Sequence, residues 1–229
     1  MHASTMSPWA CLTSLLLFAC LANANTEKII FIAPSKINLP DHGPGLQDLN
    51  LISLSPKHLS QRLALPVVFP TQQHSKGRES WYLLENLQEH QRYEVRVCWS
   101  AVQPTIFDLD TYELQQVFDS PDLINSLAAF TEGLDTPSSA DIKSHLAGNR
   151  ESLLFLRVRS AADYFTTNGT LMQYPPPVDV DIILDPYLAN IFPKSLQRTA
   201  LYIILLVTGS WWLSRVLWRR FFAAKTHED

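Results

Sequence analysis

Two Asp-x-Asp triplets have the residue types and spacing for chemistry: Asp108-Leu-Asp110 and Asp179-Val-Asp181, the second with Asp185 close by. Residues two apart on a strand point the same way, so either pair could hold a divalent metal and, through it, a sugar nucleotide. The same spacing arises whenever Asp alternates with Val or Ile along a half-solvated strand. A sugar-nucleotide enzyme also needs a nucleotide-binding domain larger than this chain provides, so the solvated-face reading is preferred. His42, His58, His74, His90 and His145 are scattered, with no His-Glu-x-x-His and no Cys-x-x-Cys to recruit zinc. Nucleophile elbow, phosphate loop and Gly-x-Gly-x-x-Gly are all missing. The expectation is no catalytic residue, no cofactor and no metal site.

The elements that would carry these residues lie between two apolar ends. Of 229 residues, 22 are acidic and 18 basic, for a net charge of -4, and 46% are hydrophobic. This balance excludes a basic nucleic-acid binder and a disordered tail protein. Cys11 to Ala22 is almost wholly apolar and Ala22-Asn23-Ala24 offers a signal peptidase its small residues, so residues 1–24 read as a secretory signal cut after Ala24. The run is too short to cross a hydrocarbon core of roughly 30 Å. A second run, 199–218, carries only Arg215 and is about 30 Å long at 1.5 Å per residue, the length of a membrane span. Arg215 is one turn from the charged end, where its guanidinium can reach the headgroups, and Trp211, Trp212 and Trp218 offer aromatic anchoring.

Orientation follows from these ends. Arg215, Arg219, Arg220 and Lys225 outnumber Lys194 and Arg198, which fits a type I protein with residues 25–198 lumenal and 219–229 cytosolic. The lumenal part holds 14 basic and 20 acidic residues. Only Cys98 survives removal of the signal, so no internal disulfide framework is expected, and Cys98 is either buried or paired with another subunit. Asn168-Gly169-Thr170 is the one glycosylation sequon, expected on a lumenal surface loop.

Residues 25–198 read as mostly β. Period-two segments occur at 29–32, 67–69, 93–99, 154–158 and 178–184, and their proline-rich joints suggest a fibronectin/Ig-like β-sandwich with helical insertions. Tyr93, Val95, Val97 and Trp99 should share a face, with Glu94, Arg96 and Cys98 on the other. Leu87 followed at six by Tyr93, opening an alternating strand, has the form of a tyrosine corner, with Tyr93 and Trp99 as its structural residues. Ser120-Pro121-Asp122 supplies a helix start and Gly133 a stop. Ser55-Pro56 is expected to open a shorter helix, and 138–148 forms a third. Tyr174-Pro175-Pro176-Pro177 reads as a stiff joint before the last strand.

Tyr93-Glu-Val-Arg-Val-Cys-Trp-Ser-Ala-Val-Gln-Pro-Thr105 and Val178-Asp-Val-Asp-Ile-Ile-Leu-Asp-Pro-Tyr187, with a signal before and one span after, resemble the fungal GPI mannosyltransferase II co-activator family. The resemblance implies an endoplasmic-reticulum membrane protein, the non-catalytic subunit of the enzyme adding the second mannose to the glycosylphosphatidylinositol precursor. It implies a multispanning catalytic partner that uses dolichol-phosphate-mannose. Candidate contacts with that partner are Thr208, Trp212 and Arg215, along one face of the helix, and the small pair Ser210 and Ser214. Rival readings are a single-pass lumenal cargo or chaperone adaptor and a tethered glycosyltransferase using Asp179 and Asp181.

Overall fold

A computed structural model describes residues 25–38, 46–72, 74–134 and 150–222. Among the described residues the chain is mostly β, with ten strands in two five-stranded sheets and one long helix at its C-terminal end.

The first sheet is built around β9 (Val178–Leu188), which pairs antiparallel with β6 (Arg92–Trp99), β4 (Ser60–Leu65) and the short β10 (Phe192–Pro193). Beyond β6 lies β1 (Thr26–Ile32). The second sheet is built around β8 (Arg150–Ala162), which pairs antiparallel with β5 (Arg78–Leu87), β7 (Thr105–Tyr112) and β2 (Ile37–Asn38). Short β3 (Ser53–Leu54) runs parallel to β5.

The inner faces of both sheets meet in one core. Val95 and Val97 of β6, Val180, Ile182 and Leu184 of β9, and Leu156 and Val158 of β8 are all buried there. Tyr93 is buried with them, and its hydroxyl accepts the backbone N–H of Gln88 at 2.9 Å and donates to Gln91 Oε1 at 2.9 Å. Burial raises its phenol above the usual value, so it remains a neutral donor.

The second sheet is also covered on its outer face. Trp81 and Leu83 of β5 and Leu153 and Phe155 of β8 point there, against Val117 of α1 (Leu114–Asp119) and Leu127 of α2 (Pro121–Glu132). Burial on both faces explains the unbroken apolar runs Trp81-Tyr-Leu-Leu84 and Leu153-Leu-Phe-Leu156. Each such side chain removed from water contributes roughly 1.5–3 kcal/mol. A polar stitch fixes the helix layer: Trp81 Nε1 donates to Ser126 Oγ at 2.9 Å, and Ser126 donates to Glu79.

Pro121 occupies the first turn of α2 behind Ser120, and Gly133 follows its last residue. Other expectations need correction. The segment 67–69, expected as a strand, makes only an isolated parallel bridge from Val68 to Ala161. Pro66 and Pro70 bracket it, leaving too few N–H groups for a ladder. Ser55-Pro56 opens a tight turn rather than a helix. Ser55 and His58 exchange backbone hydrogen bonds, and Ser55 Oγ also accepts the His58 N–H at 3.3 Å. Ser followed by Pro suits the first two positions of a β-turn as well as a helix start. The expected helix over 138–148 lies outside the described residues.

Gly77, entering β5, has φ +86°, and a Cβ there would lie 2.1 Å from the Ser160 carbonyl oxygen. Only glycine fits that approach. Gly77→Ala should therefore lower unfolding stability by about 3 kcal/mol or more, measured by chemical denaturation.

Candidate interaction site at the junction of head and C-terminal helix

Three of the four Asp-x-Asp carboxylates bind arginines. Asp181 stands opposite Arg62 in the β4–β9 register and accepts from its Nε and Nη2 at 2.8 and 2.7 Å. The hydrogen bonds from Arg62 hold the Asp181 carboxyl below the usual range. Asp179 is exposed on the same face, beyond Asp181 from Asp185. Asp108 stands opposite Arg159 and Asp110 opposite Arg157. Arg159 Nη2 reaches Asp108 at 2.5 Å and Asp110 at 2.7 Å, and Lys76 also binds Asp108 at 2.6 Å. Burial acts to raise the Asp108 carboxyl, but these cations outweigh it and hold it low. Asp108, Asp110 and Asp181 thus do cross-strand pairing on half-solvated faces, while Asp179 stands opposite Ala64. No group of three or more metal-ligating side chains is assembled among the described residues.

A cleft of about 1070 Å³ opens between β4, β5 and α2, lined by Leu63, Leu65, Trp81, Tyr82 and Phe130 among others. It brings neither carboxylate pair together.

A further polar cluster lies on the outer face of the first sheet, where the chain leaves for the C-terminal helix. Glu94 of β6 stands directly opposite Asp185 of β9, two like charges across a ladder. Arg96 bridges them, with Nε 3.3 Å from Glu94 and Nη2 3.2 Å from Asp185. Lys28 of β1 adds a contact to Glu94 at 3.5 Å, and Tyr187 donates to Glu94 at 3.2 Å. Burial and the Glu94 carboxylate keep the Tyr187 phenol above its usual value.

Asp185 also reaches forward along the chain. The turn Lys194–Leu196 follows β10, and the Ser195 N–H donates to both Asp185 oxygens, at 3.2 and 3.4 Å. Arg96 Nη2 lies 3.3 Å from Ser195 Oγ. The carboxylate thereby satisfies a donor at the start of a helical stretch that has no partner of its own. The β9–β10 hairpin is tied down too: Asn190 Oδ1 accepts the Arg92 N–H, and its Nδ2 donates to the His90 carbonyl. Sequence reasoning treated Asp185 only as a neighbour of a triplet. Its signal was Ser195 just ahead of a long apolar run, which marks a helix start.

From this junction α4 (Gln197–Phe222) runs out with no buried residue over 197–220, and over 194–220 the segment is long and apolar enough to cross a membrane. Thr208 Oγ1 folds back onto the carbonyls of Ile204 and Leu205. At 100° per residue, Ser210 and Ser214 lie on the side of the helix about opposite Thr208, Trp212 and Arg215. The expected contacts therefore form two faces rather than one. The Arg215 guanidinium does not reach toward the charged end; it lies 4.4 Å from the Trp211 ring, one turn back toward the head. Helical side chains lean toward the N-terminus, and the ring face attracts the cation. Cys98 is half-buried and free, with Thr26 Oγ1 3.6 Å from its sulfur. Trp99 packs on Phe107 with ring centroids 4.6 Å apart. Asn168 is exposed and caps α3 (Gly169–Gln173) by accepting the Thr170 N–H. Ala24 lies outside the described residues.

The family described as GPI-Mannosyltransferase II co-activator matches residues 15–216, from ahead of β1 to within the last two turns of α4. The chain belongs to this family. No curated protein and no solved structure matches it. Family membership places the chain in GPI-anchor biosynthesis as an accessory to a mannosyltransferase. Head, junction and most of the helix fall inside the match.

Two substitutions test the buried charges. Asp185→Ala removes the acceptor of the Ser195 N–H and one of the two carboxylates paired with Arg96, and should cost about 1–3 kcal/mol in a denaturant titration of the detergent-solubilised chain. Glu151, buried in the second sheet, has its carboxyl raised by burial and by Glu85. A carboxyl raised on folding weakens the fold as pH climbs through its unfolded and then its folded value. Glu151→Gln should therefore stabilise the protein at neutral pH, with the gain fading in acid, read as the Tm difference at the two pH values.

Proposed function

We propose that this chain is the non-catalytic accessory subunit of the endoplasmic-reticulum GPI mannosyltransferase II, supporting addition of the second mannose by a multispanning catalytic partner. The observation that carries this reading is the family match across both head and helix. In this reading residues 1–24 are a signal cut after Ala24, residues 25–198 form a lumenal, fibronectin/Ig-like sandwich, residues 199–218 span the membrane and residues 219–229 are cytosolic. Two sheets sharing one core support the sandwich, and the single long apolar helix supports the span.

The mechanism is positional. A lone helix cannot enclose a lipid-linked sugar donor, so the reaction belongs to the partner, and this chain contributes a folded head held at a set place against it. Asp185 and Arg96 act by fixing the head to the helix. Ser210 and Ser214 give a close approach on one side of the helix, and Thr208, Trp212 and Arg215 offer a polar and aromatic stripe on the other.

Ser210→Leu with Ser214→Leu should reduce the catalytic subunit recovered with the tagged chain in mild detergent by about tenfold, the effect of losing roughly 1.4 kcal/mol at the interface. Unchanged recovery would remove that face from the interface, and a spread of secretory clients in place of one mannosyltransferase would favour a cargo adaptor. Treatment with a mannose-specific endoglycosidase should increase the gel mobility of the chain, and Asn168→Gln should abolish the shift. A wild-type chain insensitive to the enzyme would leave Asn168 unmodified.

A further inference from the structure

Large apolar side chains are exposed where the head meets α4. Ile30 and Ile32 of β1 stand on the outer face of the first sheet, opposite Glu94 and Arg92, and Ile32 is 60% exposed. Ile191 is 75% exposed at the hairpin tip, followed by exposed Phe192 and Leu196. Single exposed apolar residues are ordinary, but five gathered at one end of one sheet are not. Basic groups surround them: Lys28, Lys194 and Arg198 are solvent-facing. The acids on this face of the sheet, Glu94 and Asp185, are buried and matched by Arg96 and Lys28.

Chain length decides what covers this patch. Ser195 is hydrogen-bonded to Asp185, and only three residues, with about 6 Å of helical rise from Ser195, come before Thr199 at the start of the apolar run. Ile30, two strand spacings away across β6, is about 10 Å from Asp185. No linker exists that could lift this end of the sheet clear of a bilayer crossed by α4.

The geometry points to a membrane-surface seat: the outer end of the first sheet, with Ile30, Ile32, Ile191, Phe192 and Leu196, rests in the headgroup layer of a phospholipid bilayer. Lys28, Lys194 and Arg198 meet lipid phosphates there. Apolar side chains ringed by lysine and arginine are the composition that holds an element in the membrane interface. The seat rests on the reading that α4 spans the membrane, and it explains why the buried cluster lies at this end: a head lying on a surface needs its joint to the anchor held in one orientation.

The full chain, with its three cysteines replaced by serine, would be reconstituted into phosphatidylcholine vesicles. An environment-sensitive fluorophore would be placed in turn at Ile32→Cys, Phe192→Cys, Val102→Cys and Leu205→Cys. Val102 is exposed beyond the opposite end of β6, and Leu205 lies within α4. Nitroxide on the upper acyl chain should quench the Ile32 and Phe192 probes at least about twofold more than the Val102 probe, with blue-shifted emission. Quenching at Leu205 alone would overturn the seat while leaving the span intact. No quenching at any position, Leu205 included, would overturn both. Blue-shifted emission at Ile32 without lipid quenching would show the patch covered by protein, which also overturns the seat.

Discussion

A carboxylate taken out of water must be matched in charge and hydrogen bonding, and Asp185 meets that requirement with partners from two different parts of the molecule. Arg96 belongs to the neighbouring strand and Ser195 to the turn that begins the long helix. Had the partners come from the sheet alone, the helix would hang from a free segment. Because the ion's surroundings are completed only when the turn is docked, folding of the first sheet and placement of the helix are coupled. Glu94 strengthens the coupling: with two acids opposed across one ladder, Arg96 is held on that face, where it also meets Ser195.

Sequence periodicity showed the half-solvated strands clearly. β6 and β9 each have one wet face, so their alternation is visible in Tyr93, Val95 and Val97 and in Val178, Val180 and Ile182. The strands that carry most of the core were less legible. β5 and the middle of β8 are wrapped on both sides, by the other sheet and by helices, so Trp81 to Leu84 has no polar beat. β7 alternates well, yet its aspartates drew attention as possible chemistry. Their cross-strand arginines, 49 residues away in sequence for Asp110 and Arg159, could not be paired without the fold. The junction was hidden for the same reason, since Glu94, Asp185 and Ser195 come together only through strand register.

In this member of a mannosyltransferase co-activator family, the polar groups just described hold strands and turns together. Arginine neutralises aspartate on each sheet, tyrosine hydroxyls pin turns, and a buried charge cluster sits at a mechanical joint. What the molecule presents outward is a helix with two distinct sides and a sheet end of mixed apolar and basic character.

The short path from Pro193 to Gln197 carries an angular consequence. With the turn fixed to the sheet at one end and continuous with a helix at the other, the compass bearing of the head about the helix axis is locked to the helix faces. One residue inserted after Ser195 would swing the head by about 100° relative to the serine pair, whereas seven would return it almost to its original bearing. The junction therefore works as an indexing key, converting the rotation of the helix about its own axis into a defined heading for the folded head.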